Sequence, residues 1–269
     1  MLRRSRKRNG HMRTALTIAG SDSSGGAGIQ ADLKTFAAHG VFGCSALTAV
    51  TAQNTLGVTA VAELDAAIVI AQIDAVLADL DIHATKIGML ASAAIVIAVS
   101  DAIMRHRLQN VVLDPVMIAK GGARLLDERA VDAIRTRLFP LATVVTPNVF
   151  EAEALTGRSI ANLDDQRAAA TALMALGPRA VLVKGGHLEG AAIDVLHDGR
   201  ETIELRADRI DTRHTHGTGC TLSSAIAARL ALGDDITTAT RQAKAYVTRA
   251  IEQAPGLGRG HGPLQHFVK

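Results

Sequence analysis

Aromatic side chains are scarce in this chain of 269 residues, which has five Phe, one Tyr and no Trp. Proteins that bind single-stranded nucleic acid use such rings as platforms on which bases stack, so the composition argues against that class of function. Runs of about 20 apolar residues are also missing, and the first residues lack the apolar segment of a secretory signal. We therefore expect a cytoplasmic protein with no membrane association.

Cysteine is nearly as rare, with only Cys44 and Cys220 in the whole sequence. The two stand far apart and have no metal-ligand spacing, so the sequence predicts neither a disulfide framework nor a zinc site. The ten histidines are scattered. We predict no metal role for His187, His214 or His216.

Basic charge is concentrated at the start of the chain, where five Lys or Arg residues fall within residues 1–11. Without those five, the chain has 24 basic and 26 acidic residues. The sequence pI of about 9.1 therefore comes from the first segment. Such a segment could touch nucleic acid or an acidic surface. The preferred interpretation is a disordered basic extension, or a start codon upstream of Met12, which makes nucleic acid an unlikely partner.

Short apolar, β-branched runs alternate with helical patterns, which is typical of a mostly parallel central sheet with helices on both faces. The predicted strands are Thr14–Ala19, Gly43–Ala52, Val58–Leu64, Ala84–Met89, Asn110–Val116, Ala142–Pro147, Ala180–Lys184, Ala192–His197 and Thr202–Arg206. Asp198-Gly199 between the last two is a hairpin signal and predicts an antiparallel edge. Asp65 is predicted to cap a helix. A last helix over about Ile236–Gln253 precedes a glycine-rich tail, and residues 12–269 read as one α/β domain.

The segment from His214 to Cys220 predicts a tight turn that opens directly into a helix. Gly217 and Gly219 let the main chain approach a ligand, and the first-turn N–H groups and the helix dipole favour an anion there. The same groups would lower the pKa of the Cys220 thiol, which would place a proton acceptor beside the anion. This combination suggests phosphoryl transfer to a small molecule. The alternative is that the glycines only shape a turn and that Cys220 is a small buried apolar residue.

Polar groups also follow several predicted strands, where ligand sites of open parallel sheets gather. The loop from Gly20 to Asp32 is rich in glycine but matches neither Gly-x-Gly-x-x-Gly nor a P-loop. The position of Asp32 alone predicts a surface carboxylate. Gln53 offers a donor and an acceptor suited to the edge of an aminopyrimidine, although a turn-forming role fits equally well. Asp114 is a candidate partner for a metal or phosphate, or a turn residue before Pro115.

Two further strand ends carry candidate groups. Asn148 and Glu151 lie three residues apart at a predicted helix start and would point the same way, although capping alone could explain Asn148. Lys184 is followed by two glycines, which would let phosphate oxygens approach its charge. Five strand-end groups and a helix-terminal anion site form a set that is hard to explain as separate structural features.

The set resembles the bacterial hydroxymethylpyrimidine/phosphomethylpyrimidine kinases of thiamine biosynthesis, in the ribokinase-like superfamily. The resemblance covers about Thr14 to Phe267 and is carried by Gly20–Gly28, Thr51–Thr55, Lys86–Leu90, Thr146–Asn148, Val183–His187 and His214–Thr221. Ser23 departs from the proline that is frequent in that family, and Gly121 from a frequent serine.

The resemblance implies a kinase that uses Mg²⁺ and ATP twice, first on 4-amino-5-hydroxymethyl-2-methylpyrimidine and then on its monophosphate. It implies a site for the pyrimidine at Gly20, Asp32, Gln53, Met89 and Val116. It assigns ATP to Asp114, Asn148, Glu151 and Lys184, with Asp114 and Glu151 near magnesium.

By the same resemblance, Gly217, Thr218, Gly219 and Cys220 hold the transferring phosphoryl group, and many ribokinase-like enzymes have an aspartate base where Cys220 stands. A homodimer is expected, with a loop around Met117–Arg124 that closes over the substrates. The nearest rival is a pyridoxal kinase of the same superfamily. A rival of another class is a non-catalytic sensor of the pyrimidine or ATP.

Overall fold

The structure is a computed structural model that describes residues 12–117 and 127–268. The predicted basic extension and, apart from Met117, the predicted closing loop lie outside the described residues.

A central sheet of eight strands organises the described chain. Its strands are β1 (Thr14–Ala19), β2 (Phe42–Leu47), β5 (Ala84–Ile87), β6 (Val111–Leu113), β7 (Val144–Val145), β8 (Val181–Val183), β9 (Ala192–His197) and β10 (Thr202–Ala207). Their order is β10-β9-β8-β7-β6-β5-β1-β2. Six of these strands run parallel to one another, namely β2, β1, β5, β6, β7 and β8, whereas β9 and β10 are antiparallel to their neighbours. The predicted mostly parallel sheet with an antiparallel edge is therefore confirmed.

The predicted single strand over Gly43–Ala52 is wrong. The chain leaves the central sheet at Thr48, and two strands, β3 (Ala49–Asn54) and β4 (Gly57–Glu63), pair separately as an antiparallel hairpin. Thr48 explains the break, because its backbone N–H donates to Ala19 and its carbonyl accepts from Leu64. A continuous apolar pattern contains no signal for such a change of sheet. The hairpin rises over the carboxyl end of β1.

Helices cover both faces of the sheet, as predicted. They are α1 (Gly28–Ala38), α2 (Ala66–Leu77), α3 (Ala93–His106), α4 (Glu128–Ala133), α5 (Val149–Thr156), α6 (Leu163–Met174), α7 (Thr218–Leu232) and α8 (Ile236–Glu252). The Asp65 side chain accepts from the Ala67 N–H, which confirms the predicted cap of α2. None of the helices in the described ranges combines the length and the apolar character needed to cross a bilayer.

The core has two layers because successive strand residues point to opposite faces. Val111 and Leu113 pack in the layer beneath α2 to α6, whereas Val112 between them packs against the layer of α7 and α8. Such strands are buried on both sides and read as continuous apolar runs. Because these strands are parallel, their carboxyl ends lie at one edge of the sheet, and the polar residues that follow them lie side by side.

Candidate active site

The carboxyl ends of the parallel strands open into a cavity of about 810 Å³. All the predicted site residues except Asp32 line it: Gly20, Gln53, Met89, Asp114, Val116, Asn148, Glu151, Lys184, Gly217, Thr218, Gly219 and Cys220. The sheet thus brings together groups that lie up to 200 residues apart in sequence.

The turn at Gly217 joins two walls of this cavity. Gly217 has a φ of 80°, and a Cβ there would lie 1.8 Å from the carbonyl oxygen of Gly26, so only glycine fits. A Cβ at Gly219 would lie 3.2 Å from Lys184 Nζ. Helix α7 begins at Thr218, within the predicted turn, and the contacts of Gly217 and Gly219 place its first turn between Gly26 and Lys184. Residues 217–220, which we call the anion turn, have the local geometry that an anion requires.

The thiol of the anion turn does not have the predicted low pKa. Burial raises the pKa of Cys220 to about 11. The Lys86 charge and the Gly28 N–H act in the opposite direction, but the carboxylates of Asp32 and Asp114 add to the rise. The expectation from the helix terminus was wrong because burial and two carboxylates from distant segments outweigh the dipole.

Lys184 and Asp114 form an ion pair at the floor of the cavity. Lys184 Nζ donates to Asp114 Oδ1 at 2.9 Å and lies 4.0 Å from Glu151 Oε2. Asp114 also accepts from the Thr146 hydroxyl at 3.3 Å. Burial alone would lower the pKa of Lys184, but the charges of Asp114 and Glu151 raise it. The ammonium group therefore stays charged between two carboxylates.

Asn148 and Glu151 form a capping box at the start of α5. Asn148 Oδ1 accepts from the Glu151 N–H at 2.9 Å, and Glu151 Oε2 accepts from the Asn148 N–H at 2.8 Å. The capping role that the sequence left open for Asn148 is thus present. The Glu151 carboxylate also accepts a hydrogen bond from the Met117 backbone. Burial raises the pKa of Glu151 to about 7, Asp114 adds to the rise, and Lys184 opposes it.

Asp32 is neither at the surface nor on the cavity wall. Its side chain is fully buried and accepts from both Lys86 Nζ (3.0 and 2.9 Å) and the Ser224 hydroxyl (2.6 Å). Thr17 donates to its other oxygen at 2.6 Å. Four hydrogen bonds leave this carboxylate no free lone pair for a pyrimidine. Its predicted substrate contact is therefore corrected to a structural ion pair behind the site.

The family model for phosphomethylpyrimidine kinase matches residues 22–265. The chain belongs to the phosphomethylpyrimidine kinase family.

Two curated relatives and one solved structure illustrate the similarity. The hydroxymethylpyrimidine/phosphomethylpyrimidine kinase of Rhizobium meliloti is 54% identical over 257 residues, which cover 94% of this chain and 96% of that protein. The thiamine biosynthesis bifunctional protein ThiED of Geobacter sulfurreducens is 51% identical over 95% of this chain, which spans about half (52%) of that longer protein. Pyridoxal kinase of Bacillus subtilis, solved as an ADP complex, superposes with a TM-score of 0.89 at 42% identity and covers 95% of this chain and 97% of its own. The predicted family and ribokinase-like fold are confirmed.

Lys86 was missed as a functional candidate in this member of the phosphomethylpyrimidine kinase family. It lines the cavity although its side chain is fully buried, and a Cβ at Gly88 would lie 2.8 Å from its Nζ. A lysine within the apolar strand β5 was the available signal, because a buried charge requires a partner. Its charge opposes the rise in the Cys220 pKa.

His216 and Asp22 were also missed. His216 Nε2 lies 2.8 Å from Asp22 Oδ2 and 3.3 Å from Gln53 Nε2, with His216 and Asp22 both buried. Burial would raise the pKa of Asp22, but hydrogen bonds from His216 and Ser24 hold it well below its usual value. The signal was Asp22 itself, since Asp two residues before Ser in a glycine-rich loop is typical of side chains that bind backbone N–H groups.

The glycine-rich tail after α8 packs against the site, and we call residues 255–268 the C-terminal strap. The Gly262 carbonyl accepts from the His216 N–H at 3.0 Å, and the His261 N–H donates to the Thr55 carbonyl at 2.8 Å. At the end of the strap, buried His266 lies 3.2 Å from the Thr221 hydroxyl. In this family member the strap links the residues that flank the anion turn to the tip of the β3–β4 hairpin.

Proposed function

We propose that the chain is an ATP-dependent kinase that phosphorylates 4-amino-5-hydroxymethyl-2-methylpyrimidine and then its monophosphate, in thiamine diphosphate biosynthesis. Family membership and the names of the curated relatives support the substrate class. The observation that carries the proposal is the anion turn, which lies against Lys184 and Asp114 on one side and against the loop at Gly26 on the other. A phosphoryl group bound there would contact charge on one side and an acceptor on the other.

The acceptor end of the cavity combines apolar walls with one bifunctional amide. Gly20, Met89 and Val116 line it together with Gln53. A Cβ at Gly20 would lie 2.7 Å from the Met89 methyl carbon, so this glycine leaves room for a flat ring beside the thioether. We propose that Gln53 recognises the polar edge of the pyrimidine by hydrogen bonding, because an amide offers a donor and an acceptor side by side.

The nucleotide end suits Mg²⁺ bound together with ATP. Within residues 12–117 and 127–268, three or more His, Cys, Asp or Glu side chains do not cluster as a self-sufficient metal site. Mg²⁺ is usually held by one or two carboxylates, substrate phosphates and waters. Asp114 and Glu151 would supply two such carboxylates, and both lie near Lys184. When bound, the ion would neutralise phosphate charge. Lys184 and Asn148 would then orient the phosphates.

Phosphoryl transfer depends mainly on positioning and charge neutralisation. In our proposal the N–H groups of Gly217, Gly219 and Cys220 stabilise the phosphoryl oxygens during transfer, since the Thr218 N–H donates to the Thr215 carbonyl. The thiolate form of Cys220 accepts the proton that the primary alcohol loses as its oxygen attacks phosphorus. The second acceptor is a phosphate monoester, which is already largely ionised at neutral pH because its second pKa is about 6.

Incubation of the protein with Mg-ATP and the hydroxymethylpyrimidine tests the proposal. Mass spectrometry should find the monophosphate first and the diphosphate later. A higher kcat/KM for pyridoxal, with no diphosphate from the pyrimidine, would instead identify a pyridoxal kinase. Binding of the pyrimidine or ATP without release of ADP at saturating concentrations would identify a sensor.

The proposal includes a homodimer. Val50 and Val61 on the β3–β4 hairpin and Ile68 on α2 are 46%, 49% and 50% exposed, respectively, which supports an apolar contact surface there. Sedimentation velocity should give twice the chain mass, and Val50→Glu combined with Val61→Glu should shift it to the monomer. A cytoplasmic location stays a prediction from the sequence.

A further inference from the structure

The proton on the His216 ring can be assigned from the partners of Asp22. Both oxygens of Asp22 are acceptors: Ser24 donates to Oδ1 from its N–H and its hydroxyl, at 2.9 and 2.7 Å. The N–H groups of Gly26 and Ala27 donate to Oδ2 at 3.1 and 2.8 Å. A carboxylate with these four donors has no proton to give. The 2.8 Å contact from His216 Nε2 therefore requires the proton on Nε2.

The hydroxyl proton of Thr51 can be assigned in the same way. Thr51 Oγ1 lies 2.8 Å from the carbonyl oxygen of Ser21, which only accepts, so its single proton lies there. The same Oγ1 lies 3.1 Å from the Gln53 amide. Towards Gln53 it can therefore only accept. Ser23, the departure from the family proline, fixes the Gln53 backbone by accepting from its N–H at 2.8 Å and donating to its carbonyl at 2.7 Å.

These two assignments decide which way the Gln53 amide faces. Its two polar ends have the same shape, and hydrogen bonding alone distinguishes oxygen from nitrogen. The amide NH₂ must face Thr51, which accepts. The amide oxygen then faces Nε2 of His216, whose single proton goes to Asp22 and which therefore has no lone pair to accept from an amide N–H. With Nε2 placed 3.3 Å from His216 Nε2, two donors would oppose each other. The exchanged orientation removes this opposition and gives the amide NH₂ an acceptor in Thr51.

We propose that His216, oriented by Asp22, is a specificity-determining positioning residue that fixes the Gln53 amide with its oxygen towards the anion turn. The inference rests on the proposed function, because it concerns how the pyrimidine is read. In a 4-aminopyrimidine, ring N3 accepts and the 4-amino group donates, and the hydroxymethyl group lies on the far side of the 4-amino group. Pairing the Gln53 oxygen with the 4-amino group then directs the hydroxymethyl group towards residues 217–220. The opposite amide orientation would turn the ring and direct that group away.

A pair of acceptors with opposite hydrogen-bond patterns tests this inference. The natural 4-amino compound is compared with its 4-oxo analogue, 5-hydroxymethyl-2-methylpyrimidin-4-one, in which position 4 accepts and N3–H donates. For the wild-type chain, kcat/KM of the first phosphorylation and Kd without ATP should favour the amino compound. Phosphorylation of neither compound would contradict the proposed function itself. Equal use of both would contradict only the inference.

His216→Phe keeps a ring of similar size over Gly26 but removes the N–H, and Thr51→Val removes the acceptor on the other side. In the wild-type chain, only one orientation of the Gln53 amide leaves buried polar groups mispaired, and this difference favours the amino compound. Either variant removes the difference, so each should reduce the amino-to-oxo ratio of kcat/KM by roughly ten- to a hundredfold. Thr51→Ser keeps the hydroxyl and should keep the ratio. His197→Phe on β9, away from the cavity, is the matched control.

The ratio separates specificity from general damage. Loss of packing would lower the activity towards both compounds together and leave the ratio unchanged. Should His216→Phe fail to fold, as judged by circular dichroism, the Thr51→Val and Thr51→Ser pair carries the test alone. An unchanged ratio in folded His216→Phe or Thr51→Val would overturn the inference.

Discussion

Replacing Cys220 by alanine should separate the two phosphoryl transfers. A primary alcohol needs a base as it attacks, and a positioned base contributes roughly 10²–10⁴-fold. The monophosphate needs none above its second pKa of about 6. Cys220→Ala should therefore slow the first transfer by roughly that factor and the second by less than about tenfold, as measured by single-turnover experiments on each acceptor.

The raised thiol pKa gives this prediction a pH signature. With a pKa of about 11, roughly three thiols in ten thousand are ionised at pH 7.5, about a hundredfold fewer than at the ordinary value of 9.0. That difference corresponds to about 3 kcal/mol against the thiolate. Since kcat/KM reports the free enzyme, its value for the hydroxymethylpyrimidine should rise nearly tenfold per pH unit from pH 7 to 9.

The same profile for the monophosphate should be flat over that range, and Cys220→Ala should abolish the slope for the alcohol. Cys220→Ser is the matched control for size. Equal losses in both transfers would refute the role of the thiol as base and leave it a packing residue. A first-transfer profile that levels off near pH 7 in the wild-type chain would instead refute the raised pKa of the thiol.

Three further predictions concern the frame around the site. Gly217→Ala should lower the melting temperature and abolish activity because its Cβ would meet the Gly26 carbonyl at 1.8 Å, whereas Gly157→Ala, with φ 68° and open space, should cost only about 1–2 kcal/mol by denaturant unfolding. Lys86→Met should destabilise the chain by about 3–5 kcal/mol by leaving Asp32 buried without its partner, and this loss should shrink when Asp32→Asn is added. Deletion of residues 1–11 should leave kcat/KM unchanged in a coupled ADP assay, and a large loss would show that the basic segment serves the kinase reaction.

The sheet and most of the cavity wall follow from local patterns in the sequence. Apolar runs located the strands, and the residues just after them reached one edge because parallel strands end together. The hairpin was not predictable in this way, since Thr48 breaks the strand through hydrogen bonds to Ala19 and Leu64, which lie far from it in sequence.

Electrostatics was the least predictable part of the site. The surroundings of Cys220 include Lys86, Asp32 and Asp114, from three separate segments, and only the assembled fold shows that burial and carboxylates outweigh the helix terminus. The reading of Asp32 failed for the same reason, because its partners Thr17, Lys86 and Ser224 are distant in sequence.

The C-terminal strap has a consequence for biosynthesis of the protein itself. The wall behind His216 is completed by Gly262 and His261, which are made some 240 residues after the strand that begins the sheet. A nascent or truncated chain that stops after α8 can bury most of its core and still lack the support of the residues that flank the anion turn. Premature termination should therefore yield folded but inactive fragments. Such incomplete chains would not consume ATP in the absence of the acceptor.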